Sequence, residues 1–252
     1  MNLQISNLEY EKFSNYNIIN FMQISIILPT RNEETLIEST LKDIISYLKK
    51  HKIDSFEILV VINGCIDASE NLIDKISSKD KRIKILHSPP GYGFAMKKGL
   101  KEAMGNYVFV FNVDFYDLKM INLALIDLYG KDLIIGSKMT YWSKDKRPIS
   151  RRIISTLFNI YLRLFFGFKG SDTHGIKVFR KEVVKQILLK CKINSGIFDT
   201  EFVLRSQYAG FAFADFPVIV EEKRPPRFTQ RLLQTPLDLY YLHKSIKNVK
   251  KL

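Results

Sequence analysis

Three residues of this chain, Asn112-Val113-Asp114, carry the most chemistry for their length. They follow an apolar run, Tyr107-Val108-Phe109-Val110-Phe111, of the kind that forms a buried strand. A carboxylate at the C-terminal mouth of a strand is placed to hold a divalent cation against a diphosphate, because hard cations take oxygen ligands. Asp114 is that carboxylate. Asn112, two residues earlier, offers a neutral amide oxygen to the same cation or a contact to a ribose.

Three other stretches carry polar residues at the ends of apolar runs. They are Leu28-Pro29-Thr30-Arg31-Asn32-Glu33-Glu34, then Asn63-Gly64-Cys65-Ile66-Asp67, then the turn Gly91-Tyr92-Gly93. Each alone is weak: a single Asp triplet or a Gly-x-Gly turn arises often by chance. Their order and spacing together are specific.

The elements that must position these residues alternate along the chain. Strands are expected at Ile24 to Leu28, Glu57 to Ile62, Arg82 to Leu86, Tyr107 to Phe111 and Asp132 to Ile135. Helical periodicity runs from Glu33 to Lys50, and Asp67 is placed to cap a helix through Ile76. A third helix follows the Gly-rich turn to Met104. Short, continuously apolar strands between helices predict an α/β fold with a mostly parallel sheet covered on both faces. Ligands of such sheets bind beyond the carboxyl ends of the strands, where all four polar stretches fall. After Gly136 a basic loop, Trp142 to Arg147, precedes an apolar helix from Ser150 to Phe166. Then come a strand at Ile176 to Phe179, helices at Glu182 to Leu189 and Phe198 to Tyr208, and a strand from Phe211 to Val220. The expected organisation is a loose extension over 1–21, one domain over 22–222 and a basic helical tail over 223–252.

Composition narrows the function classes. The 252 residues are 46% hydrophobic, enough for one domain with a full core. No apolar run approaches the ~20 residues needed to span a bilayer, and the N-terminus lacks the pattern of a signal peptide. Cys65 and Cys191 have no metal-ligand spacing and read as reduced thiols in a cytoplasmic protein. The net charge of +13 is concentrated: Lys138 to Lys185 holds 12 Lys/Arg against 3 Asp/Glu, and Lys223 to Leu252 holds 8 against 1. Such a surface suits acidic lipids or phosphorylated substrates. Nucleic acid is a poorer fit, because aromatic residues are not interleaved with the basic ones for base stacking.

The order of motifs resembles the family-2 glycosyltransferases of the GT-A, Rossmann-like fold, over about residues 23–222. The downstream half is most similar to the dolichol-phosphate and polyprenyl-phosphate mannose synthase group. That finer match rests on Ile135-Gly136-Ser137-Lys138, on Ser150-Arg151-Arg152 with Ser155, on Ser171 to Arg180, and on Phe198-Asp199-Thr200-Glu201. The resemblance implies a metal-dependent, inverting transfer of a sugar from a nucleotide diphosphate to a polyprenyl phosphate. It implies Mg²⁺ or Mn²⁺ at Asp114 and Asn112, and a donor site built from Pro29, Arg31, Glu33, Asn63, Gly91, Asn112 and Asp114. It implies an acceptor-phosphate site at Lys138, Arg151 and Ser155, and Asp172 orienting or deprotonating the acceptor, with Asp199 and then Glu201 as further candidates. Arg152 is more open between phosphate site and solvated face, and His174 reads as a packing residue.

Departures from the family pattern cluster on the donor side. Ile62-Asn63-Gly64-Cys65 stands where the family usually has Asp-Asp-Gly-Ser, Tyr92 where a Lys is common, and Tyr116 where related synthases can present a metal-binding Gln. Two alternatives therefore stand beside the leading reading. One is transfer to a sugar hydroxyl in a surface polysaccharide, which needs a real base. The other is a degenerate transferase that binds a nucleotide or lipid phosphate without turnover. The run Leu157, Phe158, Ile160 to Leu162 and Leu164 to Phe166, with Phe168, is too short and interrupted to span a bilayer. It suits either a core helix or a helix lying in the membrane interface beside Arg151, Arg152 and Lys169. The lysines of the tail, Lys244, Lys247, Lys250 and Lys251, suit anionic headgroups or plain solvation. Attachment is expected to be peripheral at the inner face of the membrane, or through a membrane-protein partner.

Overall fold

Two strands, β1 (Ile24–Thr30) and β2 (Phe56–Ile62), form the centre of the protein, and every residue of β2 is buried. The computed structural model describes residues 23–125, 127–220 and 228–247. The expected extension over 1–21 and part of the expected tail, including Lys223, Lys250 and Lys251, lie outside the described residues.

Successive side chains of a strand point to opposite faces, and this chain fills both. Ile26, Leu28, Ile58 and Val60 belong to one core with Leu41, Ile44 and Leu48 of α1 (Ile37–Lys50). Ile27, Leu59 and Val61 belong to the other with Ala95, Met96 and Leu100 of α3 (Tyr92–Glu102). The helix α2 (Ser69–Ser77) and β3 (Ile83–His87) lie between these in sequence. The remaining strands of the sheet are β4 (Tyr107–Val110), β5 (Leu133–Ser137), β7 (Lys177–Arg180) and β8 (Phe213–Pro217). The order is β3-β2-β1-β4-β7-β5-β8. Between β2, β3 and β8 all neighbours are parallel except β7, which runs antiparallel to both β4 and β5.

The mostly parallel sheet expected from the alternating pattern is present; the reversed strand is what the pattern did not contain. An apolar run reports burial on both faces, and direction is set by the connection. Residues after β5 leave the sheet through β6 (Lys144–Asp145) and α5 (Ile149–Phe166) and return at the same end, so that Lys177 at the start of β7 pairs with Ile135 near the end of β5. The expected single strand Phe211 to Val220 is broken. Pro217 ends β8, and β9 (Ile219–Val220) pairs with β6 in a separate two-stranded ribbon. Proline has no N–H to extend a ladder. Asp67 does not occupy the N-cap of α2, which is Ala68. It accepts from the Ser69 N–H at 3.0 Å one residue earlier in the chain than a cap would sit. The chain continues through the short α4 (Ile121–Leu125), α6 (Lys181–Ile187), α7 (Phe198–Tyr208) and α8 (Phe228–Ile246). The last turns of α8 are docked, with Leu242 and Ile246 buried and Arg205 of α7 donating to Ser245 Oγ at 2.8 Å.

The strands β5 and β7 approach most closely at two glycines. A Cβ on Gly175 would lie 1.9 Å from the Gly136 carbonyl oxygen. Gly175→Ala is therefore expected to lower unfolding free energy by about 3 kcal/mol in urea titration. Gly196→Ala, at a position facing open space, is expected to change it by less than about 0.5 kcal/mol.

Candidate functional site

The sheet reverses its order of growth between β1 and β4, and the carboxyl ends of these strands open on a crevice of the kind that binds ligands. Two loops form its floor on one side, and they are laced together. The β1–α1 loop takes a left-handed residue at Asn32, φ 57°, whose Oδ1 accepts the Ile66 N–H at 2.9 Å. Glu33 N–H donates to Ser69 Oγ at 2.7 Å, Glu34 N–H to Asp67 Oδ2 at 3.1 Å, and Ala68 N–H to Glu34 Oε2 at 2.9 Å. The Asn63 amide donates to the Thr30 carbonyl at 3.0 Å and its side chain is buried.

This lacing sorts the expected donor residues. Asn63 ties β2 to β1 through its Nδ2 group, which leaves its Oδ1 as the atom it can offer a donor. Ile62 is a core residue. Glu33 is buried, Pro29 half-buried and Arg31 exposed on the rim. Gly91 is left-handed at φ 138° just ahead of α3, a conformation that favours glycine. The turn it makes is seated on Asn194, whose carbonyl accepts the Gly93 N–H at 3.0 Å.

Asp114 sits in a closed turn. Asn112 N–H donates to the Phe115 carbonyl at 3.0 Å, and Phe115 N–H returns to the Asn112 carbonyl at 3.2 Å. Val113 is buried beneath, and its carbonyl accepts Thr40 Oγ1 from α1 at 2.8 Å. Asp114 and Asn112 are both half-buried on this turn. Among the described residues no group of three or more acidic, His or Cys side chains is gathered as a metal cage. That suits a cation bound the way Mg²⁺ often is, by one or two protein oxygens and the oxygens of a substrate diphosphate. Asp114 and Asn112 supply hard oxygen donors of that type. Tyr116 is engaged elsewhere: its hydroxyl donates to Asp43 Oδ2 of α1 at 2.6 Å.

The other side of the crevice is built from β5, β7 and α7, and its carboxylates are paired. Lys138 Nζ lies 2.6 Å from Asp172 Oδ2, with both side chains nearly buried. Burial alone would raise the Asp172 pKa. The Lys138 ammonium and the His174 backbone N–H outweigh it and hold the carboxyl down at about 2. The contact is a charge contact, since Oδ2 makes no aligned hydrogen bond while Oδ1 accepts from His174 N–H at 3.0 Å. Asp199, in the first turn of α7, accepts from the buried Lys177 Nζ at 2.8 Å and from Tyr92 OH at 2.9 Å. Burial, then the Asp199 charge, push the Tyr92 phenol well above its ordinary pKa. Glu201 is structural: its carboxylate accepts the Lys192 and Ile193 backbone N–H groups and Arg205 Nε. The His174 ring is exposed and packs edge-on to Phe158 at 5.3 Å between centroids.

Beyond Lys138 lies a polar cavity of about 290 Å³, whose walls include Lys138, Arg147, Arg152, Ser143, Ser155 and Asp145. The structure brings Lys138 and Ser155 together there, as the acceptor-phosphate expectation requires. Arg151, expected with them, is not in the cavity wall. On a helix neighbouring residues point about 100° apart, and here it is Arg152 that faces the cavity. Arg147 was missed as a site residue. It donates in bidentate fashion to Asp145 at 2.8 and 2.7 Å and reaches Ser155 Oγ at 3.4 Å. The run of basic residues over 144–147 was the available signal. The pairing of β6 with β9, which fixes that loop, was not visible in it.

Comparison with known proteins adds to this geometry. The family model for glycosyl transferase family 2 matches residues 25–188 of the 252. Glycosyltransferase AglD of Haloferax volcanii is 29% identical over 210 residues, covering 80% of this chain and 34% of that protein. A dolichyl-phosphate beta-glucosyltransferase of Dictyostelium discoideum is 28% identical over 222 residues, covering 81% of this chain and 68% of that protein. The chain thus spans about a third of the first relative's length and about two thirds of the second's. Among solved structures, glucosyl-3-phosphoglycerate synthase from Mycobacterium tuberculosis, in complex with Mn²⁺, UDP and phosphoglyceric acid, superposes with a TM-score of 0.67 at 18% identity. The match covers 97% of this chain and 84% of that one.

The Lys138–Asp172 pair gives stability a definite acid limit. Its carboxyl pKa is lowered from 3.8 to about 2. The stabilisation, about 2 kcal/mol, is complete above the unfolded value and is lost as pH falls from about 4 towards 2. Lys138→Gln leaves a buried carboxylate without its cation. It is expected to lower stability at pH 7 by about 3 kcal/mol and to abolish this pair's acid loss between pH 4 and 2, since protonating the unpaired buried carboxyl then relieves the native state. Adding Asp172→Asn should recover most of that difference in the same denaturation series.

Proposed function

The chain belongs to glycosyl transferase family 2, and from that premise we propose that it transfers a sugar from a nucleotide diphosphate to a polyprenyl phosphate. The observation that carries this reading is the pairing of both carboxylates on the acceptor side. A general base works best with a pKa near the operating pH. Asp172 is held at about 2 by Lys138, and Asp199 is taken up by Lys177 and Tyr92. Neither is poised to deprotonate a sugar hydroxyl. A phosphate acceptor arrives already ionised and needs no base. The cavity wall, with Lys138, Arg147 and Arg152 against Asp145, has an excess of cations and several hydroxyls around it, a match for a phosphate dianion. The dolichyl-phosphate glucosyltransferase among the relatives is named for an acceptor of this class.

In this mechanism the donor lies across the ends of β1, β2 and β4. Asp114, with Asn112, would hold Mg²⁺ or Mn²⁺, which when bound neutralises charge on the leaving diphosphate. Arg147 and Arg152 grip the acceptor phosphate. An oxygen of that phosphate bonds to the anomeric carbon as the diphosphate departs from the opposite face, which inverts the configuration. Asp172 keeps Lys138 in place at the edge of the acceptor cavity. The chain's own contribution is positioning and charge stabilisation.

The proposed lipid acceptor requires contact with a membrane, and α5 supports one. Ile149, Ile153, Leu157, Ile160 and Leu164 recur at helical spacing and are all exposed, Leu164 by 76%. The same helix provides Arg152, Ser155 and Thr156 to the cavity wall, so the phosphate site and the apolar face are adjacent. Exposed Tyr141 and Trp142 stand beside them as an edge-on pair. This is the pattern of a helix lying in the interface; among the described residues no helix is long and apolar enough to cross a membrane. We place the protein peripherally at the cytoplasmic face, alone or held by a membrane-protein partner.

A thermal-shift panel of nucleoside diphosphates with and without Mn²⁺ tests the donor half. At least one nucleotide is expected to raise Tm only with metal, and Asp114→Asn to abolish that shift. Incubation with that nucleotide's sugar conjugate and polyprenyl phosphate in vesicles is expected to yield lipid-linked sugar. Product from a free glycan and none from the lipid would favour a hydroxyl acceptor. No shift and no product with any donor would leave a binding protein without turnover.

Vesicle flotation tests the membrane half. Leu157→Asp is expected to reduce binding to vesicles containing anionic lipid at least tenfold while leaving the metal-dependent nucleotide shift unchanged. Equal flotation of the two proteins would remove α5 as the contact.

A further inference from the structure

The segment from Val113 to Asn122, which includes the turn that carries Asp114, is tied to α1 by three hydrogen bonds in parallel register. Thr40, Asp43 and Tyr47 are spaced by three and four residues and so lie along one face of the helix. Their partners follow in the same order along the opposite segment. Thr40 Oγ1 donates to the Val113 carbonyl at 2.8 Å, Asp43 Oδ2 accepts from Tyr116 OH at 2.6 Å, and Tyr47 OH donates to Asn122 Oδ1 at 2.9 Å. Met120, Ile121 and Leu123 bury their side chains in the core that α1 helps form. The outer bonds rest on this core. The middle one joins an exposed carboxylate of α1 to a half-buried phenol two residues beyond Asp114, whose ring also packs against this core.

We propose that Asp43 and Tyr116 are positioning residues for Asp114: their hydrogen bond braces the 112–116 turn against α1 and holds ready the single carboxylate that binds the donor's cation. The inference rests on the donor reading given above and adds to it a part of the chain that touches neither donor nor cation. A site with several acidic ligands tolerates some misplacement of each. A site with one carboxylate and a neutral amide has no such redundancy, so its affinity depends on how little ordering remains to be done when the cation arrives. Tyr116 then serves the site through its hydroxyl's bond to α1, and not as a ligand.

The test uses Tyr116→Phe and Asp43→Ala, each of which removes the bond, and Asp43→Asn, which keeps an oxygen acceptor. Two quantities are read: the Mn²⁺ concentration giving half of the nucleotide-dependent thermal shift, and hydrogen exchange of the Phe115 amide in the metal-free protein. Tyr116→Phe and Asp43→Ala are expected to raise the Mn²⁺ midpoint about tenfold and to speed Phe115 exchange. The shift at saturating Mn²⁺ should be retained, and Asp43→Asn should restore most of the wild-type midpoint. The double variant Tyr116→Phe with Asp43→Ala should match Tyr116→Phe alone, since Asp43 acts only through that hydroxyl. A wild-type metal dependence that neither variant moves would overturn the brace alone. So would a loss of ligand-free Tm with no change in midpoint. Absence of any metal-dependent shift in the wild type would overturn the donor reading and the brace with it.

Discussion

The buried ammonium of Lys177 is the constraint around which the second half of this protein is arranged. An unpaired cation taken out of water costs several kcal/mol even after relaxation, so it must be met. Asp199 meets it from α7 at 2.8 Å, and the Gly175 carbonyl meets it from two residues ahead of β7 at 2.5 Å. Tyr92, at the start of α3, adds a hydroxyl to the same Asp199 oxygen at 2.9 Å. One ion pair therefore joins the reversed strand β7, the helix α7 and the Gly-rich turn of the donor side. Lys138 and Asp172 repeat the device a short way along the sheet. Because each carboxylate is paired within the protein, their charges are committed before any substrate arrives. The acceptor side is left with positioning and cation charge as its means of catalysis.

Much of the fold was legible because burial on both faces leaves an unambiguous pattern. Runs such as Phe56 to Ile62 have no polar face to confuse the reading, and their alternation with helices leads directly to a covered parallel sheet. What the pattern lacked is direction and interruption. β7 is reversed because the excursion through β6 and α5 starts and ends at the same end of the sheet, which no run of residue types records. The stretch Phe211 to Val220 reads as one strand until Pro217 ends its ladder. Helix identity at Phe198 to Tyr208 was plain from sequence, yet all of its first nine residues are buried, so periodicity gave no indication of which face carried the site.

The candidate site was legible to the level of the segment and less so to the level of the atom. Asp114 stands at the mouth of β4 as expected, since a strand followed by a tight turn fixes its last residues closely. Asn63 was expected in the donor site, and its Nδ2 is spent on the Thr30 carbonyl. Its neighbour in space, Thr30, is 33 positions away, and a bond across two loops has no sequence signature. The same reason explains Arg147, whose role depends on Asp145 and Ser155 being brought around one cavity. The choice between Arg151 and Arg152 is a matter of helix phase, and a difference of about 100° cannot be read from two adjacent arginines. The apolar residues of α5 were ambiguous between core and membrane. Only Leu162 and Phe166 among its hydrophobic side chains are fully covered, which resolves the helix into a narrow buried seam and a broad exposed face.

The substitutions on the donor side take on a common sense when set against these contacts. Ile62 extends the core beneath β2, and Asn63 locks the two loops together. Tyr92 reaches across to Asp199, and Tyr116 reaches back to α1. Each position where the family pattern has a charged or amide side chain for a ligand here makes an intramolecular contact. Under the proposed donor reading, these positions supply rigidity in place of direct ligand groups. Rigidity has value only if something remains to be held in place, and Asp114 is what remains. A single carboxylate on a braced turn can bind a cation usefully when the diphosphate supplies the other charges. In that arrangement cation and donor bind together, each incomplete without the other, and affinity for the free cation is low. The weak metal motif and the braced loop are then two sides of one design, in which the donor itself finishes its binding site.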